Sequence, residues 1–453
     1  MAKFKKQNNK KEQGKKDSEI EILRLASDGS GVGYIDGKAT FVPGLLPGEQ
    51  GKVRIREAKK NFQRAEIISI SRFSADRQPA PCSVYPQCGG CNLQHMTYKA
   101  TLVWKKQWVI DSLQRIGGLK DANKKVQNVI GMQNPWRYRN KAVLHRDAGG
   151  RLGYYKEKSK DVVVFDDCLL LSEATNQRIK TLQRVLGDSC PEVKTVTFRE
   201  NQAGKGMVIM HAEAESEQLE KKLQELKKEK EFSASDCILI ITERDNYKFY
   251  ERWGNLKFGV SPYAFLQVNT TQTAKLYGLV LEWTDLKGRE EVWDLYCGIG
   301  TMTLMLAQKT GKAVGVEENP QAVVDAKENA KENKVDNVSF VQGRVEDRIS
   351  ALAGKPELVV TDPPRAGMDR EALTQLLALG PARIIYVSCN PATLARDLKI
   401  LTESGTYQVE KVQPVDMFAW SHHILQWSIL DLVNQARLKA RAPTSYFEKK
   451  LIK

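Results

Sequence analysis

The chain contains 453 residues, of which 41% are hydrophobic and 28% charged, and its net charge is +15 with a pI near 9.2. Its length is enough for roughly two to four domains with buried cores, and its composition is that of a soluble globular protein. The apolar runs are too short to cross a bilayer, and the lysine-rich start lacks the apolar core of a secretory signal. We therefore expect a cytoplasmic protein without a membrane span.

Part of the positive charge lies in an N-terminal tail. Residues 1–16 contribute +6, through seven lysines and one glutamate, which leaves +9 for the remainder. We predict that residues 1–17 form a basic disordered tail, because they are low in complexity and poor in apolar side chains. A basic tail on an otherwise neutral enzyme does not explain the positive charge of the residues after 16, so the charge favours a nucleic-acid partner.

Residues 18–75 alternate short β-like runs with glycine-rich turns. The β-branched residues and the period-two alternation predict strands, and their number and spacing predict a small five-stranded barrel of the OB type. Barrels of this type often bind single-stranded nucleic acid, but the architecture alone does not assign a function.

Residues 76–255 predict a small α+β central domain. The strands expected in it lie at 162–167, 193–198, 206–212 and 237–242. A highly charged stretch at 215–230 predicts a solvated surface helix, and 98–117 predicts an amphipathic helix. The apolar face of that second helix comprises Leu102, Val103, Val109, Ile110, Leu113 and Ile116. We place Lys105 on its polar side.

Three of the eight cysteines crowd into ten residues. Cys82, Cys88 and Cys91 are spaced Cys-x5-Cys-x2-Cys in a proline-rich loop, and the other five are scattered. In a cytosolic chain of this size the pattern predicts a metal or cluster site and isolated thiols, not a disulfide framework. Thiolates bind either an iron–sulfur cluster or structural zinc, and the spacing leaves both open.

Residues 256–453 predict an α/β domain, because apolar β runs alternate with helical stretches. The runs lie at 292–296, 313–317, 339–343, 358–362 and 384–388. Such alternation predicts a doubly wound parallel sheet. Two more runs, 407–418 and 422–432, follow without a helix between them and predict a terminal antiparallel pair.

The first strand of this sheet leads into a Gly-x-Gly turn at Gly298 and Gly300. Such glycines let the backbone approach a ligand at a helix N-terminus, and Glu317, at the end of the second strand, is placed to bind ribose hydroxyls. Together they predict an S-adenosylmethionine-dependent methyltransferase. The Asp-Pro-Pro-Arg loop at 362–365 follows the fourth strand. Similar loops occur in enzymes that methylate amino nitrogens of bases, so the loop leaves the target atom open.

Cys389 follows the fifth strand, at the edge of the sheet where ligands bind. Carbon 5 of uracil is a poor nucleophile, but adding a thiolate to carbon 6 creates an enolate that can attack a methyl group. The helix that begins near Ala392 is expected to lower the pKa of this thiol. A buried strand-end cysteine is the commoner situation, and the position of Cys389 at the ligand edge favours the catalytic reading.

Four longer motifs resemble the RNA 5-methyluridine methyltransferase family: SPYAFLQVN at 261–269, DLYCGIGT at 294–301, DPPRAG at 362–367 and SCNPATLARD at 388–397. Residues 27–53 resemble that family's N-terminal TRAM domain, an OB-like RNA-binding barrel. The resemblance covers nearly the whole chain after residue 18. It implies a methyltransferase sheet preceded by a TRAM barrel and an α+β central domain.

The resemblance also implies the roles of individual residues. Cys389 matches the nucleophile, and Phe265 matches an aromatic residue that packs by the flipped uracil. The positions that match contacts to the cofactor or target base are Gln267, Tyr296, Thr301, Glu317 and Asp362. Arg344 stands where the family tends to carry a smaller polar residue on the adenine side.

Cys82, Cys88, Cys91 and Cys168 match the four ligands of the [4Fe–4S] cluster in the ribosomal-RNA-type members. The resemblance thus favours iron–sulfur over zinc, and we expect the cluster to support folding. A TRAM domain together with these cysteines favours 23S ribosomal RNA as substrate, with transfer RNA second. We infer no obligate protein partner.

One departure from the family concerns its glutamate base, which lies in a stretch resembling Asp-Met-Phe-Pro-His-Thr-x-His-x-Glu. Residues 416–426 read DMFAWSHHILQ, so the acidic position is Leu425, or Gln426 with a shift of one residue. Neither side chain can remove the carbon-5 proton. His422 and His423 are the nearest substitutes in sequence. The competing interpretations are an amino-nitrogen methyltransferase and an RNA-binding protein with a degraded site.

Overall fold

A computed structural model describes residues 17–214, 216–233, 237–240 and 247–432. Nearly all of the predicted basic tail lies outside the described residues. The chain divides into two compact units. One comprises the chain up to Pro81 together with Asn92–Thr101, and the other comprises Cys82–Cys91 and the chain from Leu102. The domain boundaries expected from the sequence remain predictions.

The first unit contains a strongly curved sheet with the strand order β1-β5-β6-β4-β3-β2. Its strands are β1 (Asp17–Glu21), β2 (Arg24–Leu25), β3 (Gly31–Ile35), β4 (Lys38–Val42), β5 (Gln50–Ala58) and β6 (Phe62–Arg72). Their inward-facing β-branched and leucine side chains form a separate core that includes Ile20, Val42 and Val53. The expected all-β unit is present, with the two-residue β2 as an addition to the five strands predicted.

The second unit contains helices α1 (Tyr98–Arg115) and α2 (Ala122–Lys125), which are followed by the central sheet. The first residues of α1, up to Thr101, belong to the first unit. The central elements are β7 (Lys141–Arg146), β8 (Leu152–Tyr155), β9 (Val162–Val164), α3 (Glu173–Leu186), β10 (Val193–Glu200), β11 (Gly206–Ala212), α4 (Glu217–Leu226), a 3-10 turn (Lys230–Phe232) and β12 (Cys237–Ile240). The strands are ordered β12-β11-β10-β7-β8-β9, and helices α3 and α4 cover one face. A hairpin, β13 (Phe249–Trp253) and β14 (Leu256–Val260), follows.

The remaining elements of the second unit form the predicted doubly wound sheet. They are α5 (Thr270–Trp283), β15 (Glu291–Leu295), α6 (Thr301–Ala307), β16 (Lys312–Glu317), α7 (Pro320–Glu332), β17 (Val338–Gln342), α8 (Val345–Arg348), a 3-10 turn (Ile349–Ala351), β18 (Leu358–Thr361), α9 (Arg370–Leu379), β19 (Arg383–Ser388), α10 (Pro391–Glu403), β20 (Tyr407–Val415) and β21 (Leu425–Leu432). The order is β17-β16-β15-β18-β19-β21-β20. Strands β15–β19 pair in parallel, whereas β21 pairs antiparallel with β19 and β20. Both the α/β class and the terminal antiparallel pair are therefore confirmed.

The outer edge of β20 is covered by residues 126–130. Val126 and Ile130 form parallel bridges to Val412 and Val415, and the amide of Gln127 donates to the Val412 carbonyl at 2.9 Å. These hydrogen bonds satisfy backbone groups that an edge strand would otherwise leave free.

Two expectations for the helices were wrong. Helix α4 is not a fully solvated helix, because Leu219, Leu223 and Leu226 are buried against the central sheet. Lys105 is fully buried on α1, where its Nζ donates to Asp416 Oδ1 at 2.6 Å and to the Phe418 carbonyl at 2.9 Å. Over the described residues, no helix combines the length and the apolar character needed to cross a membrane.

Candidate active site

The turn between β15 and α6 is bent by residues in the left-handed region. Tyr296 has a φ of 64°, and Gly298 and Gly300 have φ values of 54° and 79°. A non-glycine residue in this region is strained and is typical of a functional site. The chain turns tightly here, and α6 begins at Thr301 with its N-terminus at the carboxyl edge of the sheet.

A cavity at this edge brings together most of the predicted cofactor residues. Phe265, Gln267, Tyr296, Thr301 and Asp362 all line it. The lining residues that the sequence interpretation did not assign to the site include Tyr277, Asp294 and Met302. Asp294 lies within the quoted DLYCGIGT motif, so its signal was available, whereas Tyr277 lies on α5 outside any motif.

Two carboxyl groups, those of the buried Asp294 and the half-buried Asp362, give the cavity its electrostatic character. Burial raises the pKa of Asp294 to about 7, with Thr303 donating a hydrogen bond to its Oδ2 at 2.6 Å. Burial likewise raises the pKa of Asp362 to about 7. A cationic ligand in the cavity would favour the ionised forms of both groups. The cavity therefore suits a molecule with positive charge, such as a sulfonium or an amine.

Glu317 lies at the end of β16, beside the glycine turn. Its Oε2 accepts a hydrogen bond from the Gly298 amide at 3.0 Å, and its Oε1 accepts one from the Asn319 amide at 2.8 Å. Arg344 forms an ion pair with Glu346 and is largely exposed. The backbone contacts fix the Glu317 carboxylate beside the turn, but Glu317 is not among the described residues that line the cavity. Its contact with a ribose remains a prediction.

Helix α10 holds the Asp-Pro-Pro-Arg loop in place. The Arg396 guanidinium donates to the carbonyls of Ala366 and Met368 at 3.0 and 3.1 Å, and Asp397 accepts from the Met368 amide at 3.0 Å. Asn390 caps the helix by accepting from the Ala392 amide at 3.0 Å. The last two residues of the motif at 388–397 therefore fix the loop that follows Asp362, whereas Cys389 lies at the start of the motif.

Cys389 lies next to this loop, half-buried at the end of β19. The expectation of a lowered thiol pKa was wrong. Burial raises the pKa of Cys389, the Asp362 carboxylate raises it further, and the Arg365 guanidinium opposes them. The helix terminus does not offset the removal of the thiolate from water.

The pairing of β19 with β21 shows which of the two candidates for the family's glutamate position shares a face of the sheet with Cys389. Ser388 pairs with Gln426, so Cys389 and Leu425, the next residues along the two strands, lie on the other face of the sheet from Gln426. Leu425 is 3% exposed and belongs to the apolar cluster against which Cys389 packs. Gln426 instead donates to the Ser388 carbonyl at 3.0 Å. The residue on the same face as Cys389 is therefore Leu425.

His423 is one of the two histidines predicted as a substitute for the base. Its ring lies 4.2 Å from that of His422 and 6.1 Å from that of Phe418. Burial lowers the pKa of His423 to about 4, and the charges of His422 and Arg365 lower it further. The imidazole is therefore neutral at pH 7 and can accept a proton, but it is a weak base.

The segment that carries Phe265 and Gln267 is held from the central sheet. The buried guanidinium of Arg199, on β10, donates to the carbonyls of Ser261, Pro262 and Ala264 at 3.2, 2.8 and 2.8 Å. Asn140 donates to the Gln267 carbonyl at 3.1 Å. These contacts fix the backbone on both sides of Phe265.

Comparisons with known proteins decide the family. The model of the tRNA (uracil-5-)-methyltransferase family matches residues 254–431, and that of the TRAM domain matches residues 12–68. An RNA methyltransferase of Halalkalibacterium halodurans is 39% identical over 92% of this chain and 97% of its own length. One of Clostridium tetani is 36% identical over 89% of this chain and 94% of its own length.

The chain belongs to the RNA (uracil-5-)-methyltransferase family. It is thus an RNA methyltransferase whose methyl donor is S-adenosylmethionine. The fold agrees with that of a solved tRNA (uracil-54, C5)-methyltransferase of Pyrococcus abyssi, with a TM-score of 0.71 over 91% of this chain and 99% of the other. At 22% identity this likeness concerns the fold alone.

The four cysteines predicted to hold the cluster in this methyltransferase all lie in the second unit, partly exposed. Burial raises the pKa of Cys168 to about 11, and the nearby thiol of Cys88 acts in the same direction. The Arg139 cation lies close to both thiols and opposes these effects. Within the described part of the chain, no three His, Cys, Asp or Glu side chains are close enough to share one metal ion.

Proposed function

We propose that the protein methylates carbon 5 of a uridine in 23S ribosomal RNA, using Cys389 as a covalent nucleophile. The position of Cys389 carries the proposal, because the thiol lies beside Asp362, at the same edge of the sheet as the cofactor cavity. The ribosomal substrate rests on the TRAM domain combined with the four cysteines. Transfer RNA is the second candidate, favoured by the family description and by the substrate of the P. abyssi enzyme.

The reaction begins when the Cys389 sulfur adds as a thiolate to carbon 6 of the uracil, giving an enolate. Carbon 5 then attacks the sulfonium methyl group, which forms the new C–C bond and releases S-adenosylhomocysteine. Removal of the carbon-5 proton followed by elimination of the thiolate restores the aromatic base and the enzyme. The raised pKa of Cys389 means that a proton must leave the thiol before the attack. The Arg365 guanidinium is placed to stabilise the resulting anion.

His423 is the proposed acceptor of the carbon-5 proton, because Leu425 cannot accept it. The low pKa of this ring makes it a weaker base than a buried carboxylate. We therefore expect proton removal to be slow relative to methyl transfer. A covalent protein–RNA adduct should accumulate during turnover.

The altered segment is tightly packed, which argues against a degraded site. Trp420 stacks on Trp136 with a 4.4 Å separation of ring centroids, and its indole donates to the Pro135 carbonyl at 3.0 Å. Tyr138 donates to the Ala419 carbonyl at 3.1 Å. A segment released from selection for activity would not require these contacts, so we favour an active enzyme with a different base.

A [4Fe–4S] cluster on Cys82, Cys88, Cys91 and Cys168 is the proposed second cofactor. The Arg139 cation lies close to Cys88 and Cys168, and a cation beside these thiols would favour thiolate ligands and an anionic cluster. The cluster would join the 82–91 loop to the central domain. Anaerobically purified protein should contain iron and inorganic sulfide; one stoichiometric zinc instead would contradict this assignment.

The decisive test compares Cys389→Ser with the wild type on total RNA from cells lacking the gene. Mass spectrometry should find 5-methyluridine at one site with the wild type and none with the variant, because a serine hydroxyl adds poorly to carbon 6. Binding of S-adenosylhomocysteine should be unchanged in the variant. Carbon-5 methylation by the variant near the original rate would refute the covalent mechanism, and mapping the site distinguishes ribosomal from transfer RNA.

A further inference from the structure

A set of aromatic and histidine side chains lies on the face of the central sheet opposite helices α3 and α4, and on the segment before Gln267. We call it the stacking surface and define it by Tyr155, His145, His211, Tyr263 and Phe265. Most of these residues have no part in the chemistry described above. Their arrangement needs an explanation, because exposed rings in a row cost free energy that burial would recover.

The register of the sheet brings the two histidines onto one face. Thr195 pairs with His145 on one side and with His211 on the other, so both imidazoles lie in one cross-strand row. The Tyr155 ring stacks on His145 with a centroid separation of 3.7 Å and an interplanar angle of 7°. At the other end of the row, His211 lies 6.0 Å from the Tyr263 ring.

The surface is exposed yet held in place. Tyr155, Tyr263 and Phe265 are 37%, 48% and 71% exposed. The three carbonyl contacts of Arg199 fix the backbone on either side of Tyr263. Preorganised rings lose little conformational entropy when a ligand stacks on them.

The charge of this face suits a polyanion. The residues of β7, β10 and β11 that share the face by strand alternation include the half-buried Lys141, and none of them on these described strands is an aspartate or glutamate. Arg199 lies on the same face but is 3% exposed, and its guanidinium binds backbone carbonyls, so the accessible charge is that of Lys141. Flat ring faces next to positive charge are the features by which proteins bind unpaired nucleotides. A base-paired A-form helix keeps its base faces stacked on one another and cannot use such a surface.

We infer that the stacking surface binds unpaired RNA nucleotides that flank the target uridine, leading the strand across the central sheet to Phe265. The inference rests on the proposed function, since it takes Phe265 to lie beside the target base. It narrows the substrate to a single-stranded loop or an opened end. Bases stack on Tyr155 and Tyr263, while Lys141 lies near the backbone phosphates.

Binding of an oligouridine of about 12 nucleotides to the full-length protein tests this directly. Fluorescence anisotropy in the presence of S-adenosylhomocysteine requires no turnover. Tyr155→Ala and Tyr263→Ala should each raise the Kd about 5- to 150-fold, the range found for base–aromatic stacking. Tyr155→Phe should retain the wild-type Kd, because the ring remains. Tyr250→Ala removes a ring of similar exposure from β13, outside the surface, and should leave the Kd unchanged.

Two further measurements separate stacking from a general loss of structure or charge. The dependence of the Kd on salt should keep its slope in the tyrosine variants, because stacking releases no counterions, whereas Lys141→Ala should make the slope shallower. Thermal unfolding should be close to that of the wild type. An unchanged Kd in both alanine variants, or an equal loss in Tyr250→Ala or with duplex RNA, overturns the inference. Failure of the proposed function would appear separately, as wild-type protein that binds RNA without forming 5-methyluridine.

Discussion

Replacing Leu425 by glutamate should restore fast resolution of the protein–RNA adduct. Leu425 lies on the same face of the sheet as Cys389 and is 3% exposed. A carboxylate there is removed from water, as Asp362 is, so we expect its pKa to rise toward neutrality, where general bases are most effective. General-base catalysis contributes about 10²- to 10⁴-fold, so the adduct should decay about 100-fold faster than with leucine.

The same substitution reduces stability. Losing a buried leucine removes about 2–3 kcal/mol of apolar burial, and an unpaired polar group adds about 1–3 kcal/mol of cost. Leu425→Gln is the matched control, because glutamine has nearly the shape and polarity of glutamate but cannot act as a base. Both variants should unfold at similarly lowered temperatures, and only the glutamate variant should resolve the adduct quickly.

The assay follows a denaturation-resistant protein–RNA band after mixing the enzyme with radiolabelled RNA and S-adenosylmethionine. The wild type should accumulate the band, and His423→Ala should increase it. Equal decay in the glutamate and glutamine variants would refute the assignment of position 425 to the base. A wild type that forms product without any detectable adduct would show that an efficient base lies elsewhere.

Three further outcomes are expected. Lys105→Met should lower the free energy of unfolding of the second unit by about 3–5 kcal/mol, measured by urea unfolding, because Asp416 is left buried without its cation. Adding Asp416→Leu to this variant should recover much of the lost stability. S-adenosylhomocysteine, which carries an ammonium group, should raise the melting temperature more at pH 8 than at pH 6. Asp294 and Asp362 have pKa values near 7 in the folded protein and near 3.8 in the unfolded chain, so the ligand-free protein loses stability as the pH rises from about 4 to 7. Both carboxyl groups are fully ionised only above pH 7, and there they bind a cationic ligand best. Arg199→Lys should lower kcat/KM about 10- to 100-fold with little change in melting temperature. One ammonium cannot hold the three backbone carbonyls that the guanidinium binds, so the segment that carries Phe265 should shift. Unchanged kinetics would exclude this positioning role.

The sequence predicted those features that depend on local pattern. The alternation of apolar strands and helices predicted the doubly wound sheet, because each parallel strand is buried on both faces. The Gly-x-Gly turn could be placed at the ligand edge from the same pattern, whereas the cavity residues Gln267, Tyr296 and Thr301 were implied by the family resemblance of their motifs. These predictions required no knowledge of contacts between distant segments.

Features that depend on distant partners could not be predicted in this way. Lys105 is buried because Asp416, more than three hundred residues away, supplies its counter-charge. The choice between Leu425 and Gln426 depended on the register between β19 and β21, which a shift of one residue reverses. The pKa of Cys389 depended on burial that the helix terminus could not offset. Helix α4 is different, since the spacing of Leu219, Leu223 and Leu226 already indicated a buried stripe.

The 126–130 segment has a practical consequence for dissecting this methyltransferase. The family model begins at residue 254, which suggests a natural place to cut out a minimal catalytic fragment. Such a fragment would lack the residues that cover the outer edge of β20, and also Lys105 beneath Asp416. An uncovered edge strand recruits other chains, so the fragment should self-associate. The smallest fragment that keeps these contacts therefore has to start before α1, because more than half of the residues ahead of the recognised catalytic region belong to the same compact unit.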